Sequence, residues 1–167
     1  MSQTDDNLKE AFAGESQANR KYLAFSKRAD KDKLPQVARL FRAAAEAETV
    51  HALNHLRVAG GVKSTLENLK DAAAGEAFEF QKMYPGFITQ ADADGNKAAK
   101  ESFDVANQVE EIHHKLYNRA VEAVKAGKDL PAAEMWVCGG CGNTVEGAPP
   151  EKCPICGAPK KMFKKIE

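Results

Sequence analysis

Cysteine is absent from the first 137 residues of this 167-residue chain, and all four cysteines lie between Cys138 and Cys156. No disulfide can therefore form within that first stretch. Cysteines that occur in close pairs in a reducing compartment are more typical of metal ligation than of disulfides. The uneven distribution predicts two domains, which we place at residues 1–130 and 131–167.

The chain also lacks an excess of charge of either sign, because 24 Lys and Arg residues balance 24 Asp and Glu residues. Without a net field, no nucleic-acid partner and no anionic membrane surface is expected. No apolar run approaches the ~20 residues of a membrane span. The first six residues lack the basic start and apolar core of a signal peptide. These absences predict a cytoplasmic protein with no membrane contact.

Hydrophobic periodicity predicts four helices in the first domain. Thr4 is the predicted N-cap of the first helix, and Pro35 suits the first turn of the second. Gly60-Gly61 ends the second helix, and Pro85-Gly86 kinks or interrupts the third near its end. The fold class expected is mainly α, a four-helix bundle followed by a small metal-bound β-knuckle domain with four cysteines. The predicted helices span roughly residues 4–29, 34–59, 65–90 and 97–125.

The connection between the second and third helices, residues 60–64, is short. A ferritin-like bundle needs a long crossover at this point. Either residues 60–69 run extended, or these helices pair with those of a second chain. A short hinge of this kind favours domain swapping.

Two helices carry the same metal-ligand spacing, Glu48-x-x-His51 and Glu110-x-x-His113. Residues three apart share a helix face, so a carboxylate and an imidazole at this spacing can bind one ion. In helix bundles that bind two iron or two manganese ions, the ligand set contains two such Glu/His pairs and one Glu from each of the other two helices. Those helices offer Glu15, and Glu76 with Glu79, which is one carboxylate more than required.

Other interpretations of these residues stay open. Most helical glutamates face water, but small neighbours at these turns allow close helix approach, where unpaired carboxylates are unfavourable. His55 follows His51 by one turn, yet Ala52 replaces the Glu that a zinc protease helix needs. Glu111-x-x-His114 has the right spacing too, although periodicity favours the pair one residue earlier. The donor set suits iron or manganese better than copper, and zinc remains a competitor.

The tail carries the most specific signal in the chain. Its two Cys-x-x-Cys knuckles are separated by eleven residues, and four converging thiolates bind zinc or a single iron. So short a domain cannot build a sufficient apolar core, so the metal supplies much of its folding free energy. The four ligands are Cys138, Cys141, Cys153 and Cys156, and residues 127–135 form the linker that precedes them.

The chain resembles the rubrerythrin family, whose members join a ferritin-like di-iron bundle to a rubredoxin-like domain. The resemblance covers essentially the whole sequence and keeps the family's motif order. The motifs that carry it are residues 13–18 (AGESQA), 47–52 (AETVHA), 75–79 (GEAFE), 83–85 (MYP), 110–113 (EEIH) and the two cysteine knuckles.

The resemblance implies roles for the ligands. Two glutamates would bridge the irons, Glu48 and Glu110, while Glu15 and Glu76 would be terminal ligands and His113 would hold the second iron. It further implies that Glu79 and His51 exchange on one iron as the oxidation state changes. Tyr22 and Tyr84 match tyrosines beside the cluster, and ordinary core aromatics with satisfied hydroxyls are the alternative.

The implied activity is reduction of hydrogen peroxide to water. Electrons would come from a rubredoxin-like donor or an NAD(P)H-dependent reductase, through the cysteine-bound iron, to the di-iron pair. The short linker predicts a head-to-tail homodimer in which each tail serves the partner's irons. One alternative is a ferroxidase or iron-handling protein with a structural zinc knuckle. A weaker one is a stress-responsive interaction protein with structural metals, against which the surplus carboxylate of Glu79 argues.

Overall fold

The computed structural model of the protein describes residues 2–167. It divides into two compact units, one ending at Lys63 and the other beginning at Ser64. None of the helices among the described residues is both long and apolar enough to cross a membrane.

The first unit is a hairpin of two helices, α1 (Gln3–Lys31) and α2 (Pro35–Val58). Ser2, not the predicted Thr4, is the N-cap of α1, and its hydroxyl and backbone form a capping box with Asp5. The α2 face that packs on α1 is built of alanines seven residues apart, so the two backbones approach closely. These alanines, Ala38, Ala45 and Ala52, are buried.

Hydrogen bonds from one buried side chain fix the register of α1 against α2. The buried Asn19 amide nitrogen donates to the Ala45 carbonyl at 2.7 Å and lies 2.8 Å from the Thr49 hydroxyl. The bond brings α1 and α2 into register near the middle of both helices, where their predicted ligands lie.

The second unit contains the other helices. The chain forms α3 (Thr65–Phe78), a π-helical segment (Glu79–Met83), α4 (Tyr84–Ala93) and α5 (Lys97–Lys125). α3 and α4 both pack against α5. Ser64 caps α3 through a capping box with Glu67.

The predicted interruption of the third helix near Pro85 takes the form of the π-helical segment, which lies just before the proline. Pro85 has no N–H to continue the regular α-helical bonding, and its ring crowds the preceding turn. The Tyr84 amide instead donates to the Glu79 carbonyl, five residues back. One wide turn therefore lets the chain remain helical through the proline, and it begins at a predicted ligand.

The tail forms a three-stranded antiparallel sheet in the order β2-β1-β3. Trp136 on β1 pairs with Val145 on β2 and with Lys165 on β3. A small core joins Phe163 and Trp136 to buried cysteines, and a 3-10 turn precedes the last strand. The strands are β1 (Met135–Cys138), β2 (Thr144–Glu146) and β3 (Phe163–Ile166).

The predicted fold class is confirmed, since four long helical stretches are followed by a small strand knuckle with four cysteines. The predicted domain boundary at residues 130 and 131 stays a prediction. The two compact units divide between Lys63 and Ser64 instead. Because β2 contacts α5, the tail belongs to the same unit as α3, α4 and α5.

Candidate metal centres

The first unit brings three predicted ligands together, Glu15 from α1 with Glu48 and His51 from α2. One ligand atom from each lies within 4.8 Å of the other two. His51 Nδ1 is 2.9 Å from Glu48 Oε2, as the three-residue helical spacing predicts. The His51 side chain is 54% exposed, against 17% for Glu48. We call these three residues the first trio.

The second unit assembles the matching set from α3 and α5, with Glu76, Glu110 and His113 again within 4.8 Å. His113 Nδ1 lies 2.9 Å from Glu110 Oε2 and 3.8 Å from Glu76 Oε1. The His113 side chain is only 25% exposed. We call these residues the second trio, and each trio lies within its own unit.

The carboxylates in both trios compete for protons. Burial, together with the neighbouring Glu110 and Glu79, raises the pKa of Glu76 to about 7. In the first trio, a hydrogen bond with Glu48 raises the pKa of Glu15, while the His51 bond lowers the pKa of Glu48. Carboxylates this close favour either a shared proton or a cation.

Glu79 and Tyr84 lie around the second trio rather than in it. Glu79 opens the π-helical segment, and burial and the Glu110 carboxylate raise its pKa. Burial raises the pKa of Tyr84, and the charges of Glu110 and Glu79 add to the shift. Tyr84 also packs against Phe87 and Phe103.

Tyr22 lies in an aromatic cluster of the first unit. Its ring centroid is 6.3 Å from that of Phe25 and 6.2 Å from that of Phe41. These contacts fit the alternative interpretation of a core aromatic, and a role beside the metals stays a prediction.

The remaining histidines have other surroundings. His55 belongs to none of the metal-ligand groups among residues 2–167. His114 Nδ1 donates to the Ala73 carbonyl at 2.8 Å, while its Nε2 lies 2.9 Å from the Asn118 amide. His114 thus holds α5 against α3. Of the two alternative pairs on α5, Glu110 and His113 are therefore the one that belongs to the second trio.

The four cysteines converge in the tail. Cys138 Sγ is 3.7 Å from Cys156 Sγ, and Cys141 Sγ is 3.5 Å from Cys153 Sγ. A tetrahedral ion with bonds near 2.3 Å requires sulfur separations of about 3.8 Å. Gly142 and Gly157, which each follow a second knuckle cysteine, have φ of 85° and 72°, a conformation that favours glycine.

Hydrogen bonds prepare one of these sulfurs for a metal. Burial of Cys153 opposes its ionisation, but hydrogen bonds to its sulfur outweigh that effect and lower its pKa to about 6. The donors are the backbone N–H groups of Cys156 and Ile155 and the side chains of Cys141 and Asn143. Burial raises the pKa of the Cys141 thiol, and the pKa of Cys156 is raised as well, so the four thiols do not all ionise by themselves. A thiolate is the form that binds metal, and a bound cation would stabilise the remaining thiolates.

The trios also fit cations. Glu76 Oε2 is buried and has no hydrogen-bond partner among residues 2–167. An unpaired buried carboxylate oxygen is unfavourable, and a bound cation would remove that penalty. Two carboxylates and one imidazole per trio form the donor set that iron or manganese prefers.

The tail reaches the second trio of its own chain, which corrects the expectation that the linker is too short. Thr144 Oγ1, at the start of β2, lies 2.9 Å from His113 Nε2. The linker needs to return only from Lys125 to His113, about 18 Å along α5. The nine residues 126–134 can span about 30 Å.

Thr144 is the site residue that the sequence did not reveal. A cleft of about 390 Å³ opens beside it and gives access to the second trio. Its polar lining includes Glu76, His113, Tyr117 and Thr144, and its apolar lining includes Met135. A threonine outside any motif gives no signal, because only the return of the chain places it there.

Two family models match the chain. One described as Rubrerythrin covers residues 6–121, and one described as Rubrerythrin, rubredoxin-like domain, covers residues 136–164. Rubrerythrin-2 of Clostridium acetobutylicum is 35% identical, and the match covers 96% of this chain and 95% of that protein. Nigerythrin of Nitratidesulfovibrio vulgaris is 38% identical, over 96% of this chain and 85% of that protein.

Solved structures of nigerythrin are similar as well. The mixed-valent state matches with a TM-score of 0.57 and 35% identity, over 99% of this chain and 88% of that one. The fully reduced, all-ferrous state gives a TM-score of 0.59 and 34% identity over the same shares.

Proposed function

Because the chain belongs to the rubrerythrin family, we propose that it is a non-haem di-iron peroxidase that reduces hydrogen peroxide to water. Electrons would come from an external reductant and reach the di-iron site by way of the cysteine-bound iron. The observation that carries this proposal is the contact between His113 of the second trio and Thr144 of the four-cysteine domain.

Family membership confirms several predictions made from the sequence. The resemblance, the ferritin-like di-iron part, the rubredoxin-like tail and the iron cofactors are those of the matching family models. The chain is therefore an oxidoreductase with a di-iron site and a cysteine-bound iron. The assignment of each ligand, the substrate and the electron donor remain parts of the proposal.

Seven residues would hold the two irons in this proposal. The two trios supply six of them, and Glu79 supplies the extra carboxylate. Cys138, Cys141, Cys153 and Cys156 would hold the single iron. When bound, the two ferrous ions supply the two electrons that cleave the O–O bond, and the cysteine-bound iron returns electrons one at a time.

The chain's own groups supply protons and access. Reduction of one peroxide to two waters consumes two protons and two electrons. Tyr84 is protonated at neutral pH, as an ordinary tyrosine is, and burial and nearby carboxylates raise its pKa further, so its hydroxyl would donate a hydrogen bond to the departing oxygen. The cleft beside Glu76 and His113 admits a molecule as small as peroxide.

The proposed exchange of Glu79 and His51 is supported by the position of Glu79 and by the exposure of His51. Glu79 lies outside the compact trio, on a segment whose wide turn departs from regular helix. His51 Nδ1 contacts Glu48, whereas His51 Nε2 has no hydrogen-bond partner among the described residues of the first unit. A side chain without an outer partner can leave one ligand position at a small energetic penalty.

The electron donor in this proposal is a rubredoxin or an NAD(P)H-dependent reductase, which meets the chain at the four-cysteine domain. Cys156 is the exposed cysteine of the four, so donor electrons can enter on that side. Four cysteines arranged as thiolate ligands fit a reducing compartment, and the cytoplasm is the proposed location.

A homodimer completes the site in this proposal. The six residues 59–64 between α2 and α3 span about 20 Å when extended. The crossover of a ferritin-like bundle must return along a helix of 24 residues, about 36 Å. The first trio of one copy therefore pairs with the second trio of another. Leu40, Val50 and Leu53 on α2 are each at least 60% exposed and would be covered by that partner.

Mixed dimers test this arrangement. Chains with Glu48→Ala and chains with Glu110→Ala, carrying different tags, are co-expressed and the heterodimer is isolated. If the trios pair between chains, one of its two sites is intact, and about half of the bundle iron and activity returns. A heterodimer as inactive as either parent homodimer would show that each chain closes its own site.

Anaerobic stopped-flow mixing tests the reaction itself. The fully reduced protein should be reoxidised by hydrogen peroxide much faster than by dioxygen, with the cysteine-bound iron oxidised after the bundle irons. Peroxide reoxidation no faster than that by dioxygen would support the ferroxidase alternative instead. That alternative gives no account of why the four-cysteine domain contacts a ligand histidine.

A further inference from the structure

The outer nitrogens of the two ligand histidines have different surroundings. His113 Nε2 lies 2.9 Å from Thr144 Oγ1, a residue of the four-cysteine domain 31 positions further along the chain. His51 Nε2 has no such partner in the first unit as far as it is described. The difference appears in exposure, since the His51 side chain is 54% exposed and that of His113 is 25% exposed.

The direction of the Thr144 bond depends on what binds Nδ1 of His113. With a cation on Nδ1, the ring proton is on Nε2, and Thr144 Oγ1 accepts it while the Thr144 hydroxyl donates to the Gly142 carbonyl at 3.2 Å. Because Nδ1 faces Glu110 and Glu76, this tautomer turns the Nδ1 lone pair toward the place of a cation.

Thr144 is held firmly where it makes this bond. It opens β2 and pairs with Val137, the neighbour of Cys138. The Gly142 amide donates to the Cys138 carbonyl at 2.8 Å, which closes the knuckle just before Thr144. Two residues after Thr144, Glu146 forms an ion pair with Arg119 of α5.

From this geometry we propose that Thr144 is a positioning residue: its hydroxyl fixes the tautomer and orientation of His113, and so strengthens cation binding at the second trio. The proposal rests on the metal site of the proposed function. It makes the fold of the four-cysteine domain a condition for a complete second trio, while the outer nitrogen of His51 has no such restraint within the described part of the first unit. Outer partners of ligand histidines typically change metal affinity about 10–100-fold, which sets the scale expected here.

The test compares Thr144→Val, which keeps the shape and removes the hydroxyl, with Thr144→Ser, which keeps the hydroxyl. Thr89→Val is the matched control, because Thr89 is an exposed α4 residue whose hydroxyl donates to the Pro85 carbonyl of its own helix. All are studied as full-length protein loaded with zinc, a diamagnetic probe. Ring nitrogen shifts from NMR report the His113 tautomer, and chelator competition reports zinc affinity.

In the wild type, Thr144→Ser and Thr89→Val, we expect His113 to carry its proton on Nε2 with slow exchange. In Thr144→Val, that proton should exchange rapidly, and one bundle zinc should bind about 10–100-fold more weakly. In separate samples loaded with cobalt instead of zinc, the cobalt-thiolate absorption of the tail checks that the four-cysteine fold is retained in each variant.

Three results would overturn the proposal. In the first, Thr144→Val matches Thr89→Val in both readouts. In the second, Thr144→Ser weakens binding as much as Thr144→Val does. In the third, the tail of Thr144→Val loses its cobalt spectrum while His113 keeps its tautomer. A wild-type protein that binds no zinc in the helices would instead refute the proposed metal site, so the two failures are distinguishable.

Discussion

The two trios have the same chemical formula, two glutamates and one histidine, and differ in what surrounds them. The first lies between two regular helices, with an exposed His51. The second lies beside a π-helical segment, and the four-cysteine domain contacts its His113. One formula therefore gives one trio with an exposed histidine and one whose histidine is partly buried and hydrogen-bonded, the division expected under the proposed exchange of Glu79 and His51.

Packing explains part of this difference. α1 and α2 meet through small alanines and the Asn19 bond to the Ala45 carbonyl, which fixes the helices but leaves their ligand face open. Aromatic packing does not separate the trios, because Tyr22, Phe25 and Phe41 form a cluster in the first unit as Tyr84, Phe87 and Phe103 do in the second. In the second unit, burial raises the pKa values of Glu76, Glu79 and Tyr84 together.

The largest expected effect tests whether the trios are equal halves of one site. Glu48→Ala and Glu110→Ala should each reduce iron from about three per chain to about one, the cysteine-bound iron. The neighbouring variants Glu46→Ala and Glu111→Ala, which alter exposed side chains, should retain all three. Iron analysis after anaerobic reconstitution measures this. Loss of iron from Glu111→Ala but not from Glu110→Ala would mean that Glu111 and His114, and not Glu110 and His113, are the ligands on α5.

The next effect concerns how the stability of the metal-free protein depends on pH through Glu76 of the second trio. In the metal-free protein, the pKa of Glu76 is raised from 4.5 to about 7 by burial and neighbouring carboxylates. Between these values the folded chain keeps a proton that the unfolded chain has lost, so stability falls as pH rises through this window. Urea unfolding at several pH values measures it.

Glu76→Gln should flatten that pH dependence, because the amide does not titrate. Glu67→Gln is an unsuitable control, since Glu67 belongs to the cap of α3, so the exposed Glu101 is used instead. An equal slope in Glu76→Gln and wild type would show that burial of Glu76 has no energetic consequence.

A smaller effect concerns the tail that distinguishes the second unit. The buried Asn143 amide lies 3.6 Å from Cys153 Sγ, and a donor to sulfur stabilises the more negative, reduced state of a cysteine-bound iron. Asn143→Leu should therefore lower the reduction potential of that iron, measured by redox titration of its visible absorption. Asn54→Leu, an exposed α2 change, is the control, and a potential that rises or stays constant would contradict the interpretation.

The smallest effect compares the starts of the two units. Ser64→Ala removes the capping box of α3 and should destabilise the protein by about 1 kcal/mol in urea unfolding. Ser2→Ala removes the same motif from α1 and is the matched comparison. A larger loss from Ser2→Ala than from Ser64→Ala would show that the first unit depends more on its cap than the second.

Much of the candidate site was predictable because its signals are local. The helical period places Glu48 beside His51 and Glu110 beside His113 without any knowledge of the fold. The spacing of the cysteine knuckles likewise predicts their convergence. Ser2 escaped prediction because Thr4 and Asp5 are also good first-turn residues, and only the observed cap geometry separates them.

The sequence alone determined which side chains can pair as metal ligands, since pairs three residues apart on helices and in Cys-x-x-Cys knuckles are set by backbone geometry over a single turn. Only the tertiary structure decided how those ligands are held. The wide turn at Glu79 depends on how the helix accommodates Pro85, and Thr144 reaches His113 only because the linker returns along α5. Contacts between residues far apart in the chain depend on that path, which no local pattern encodes.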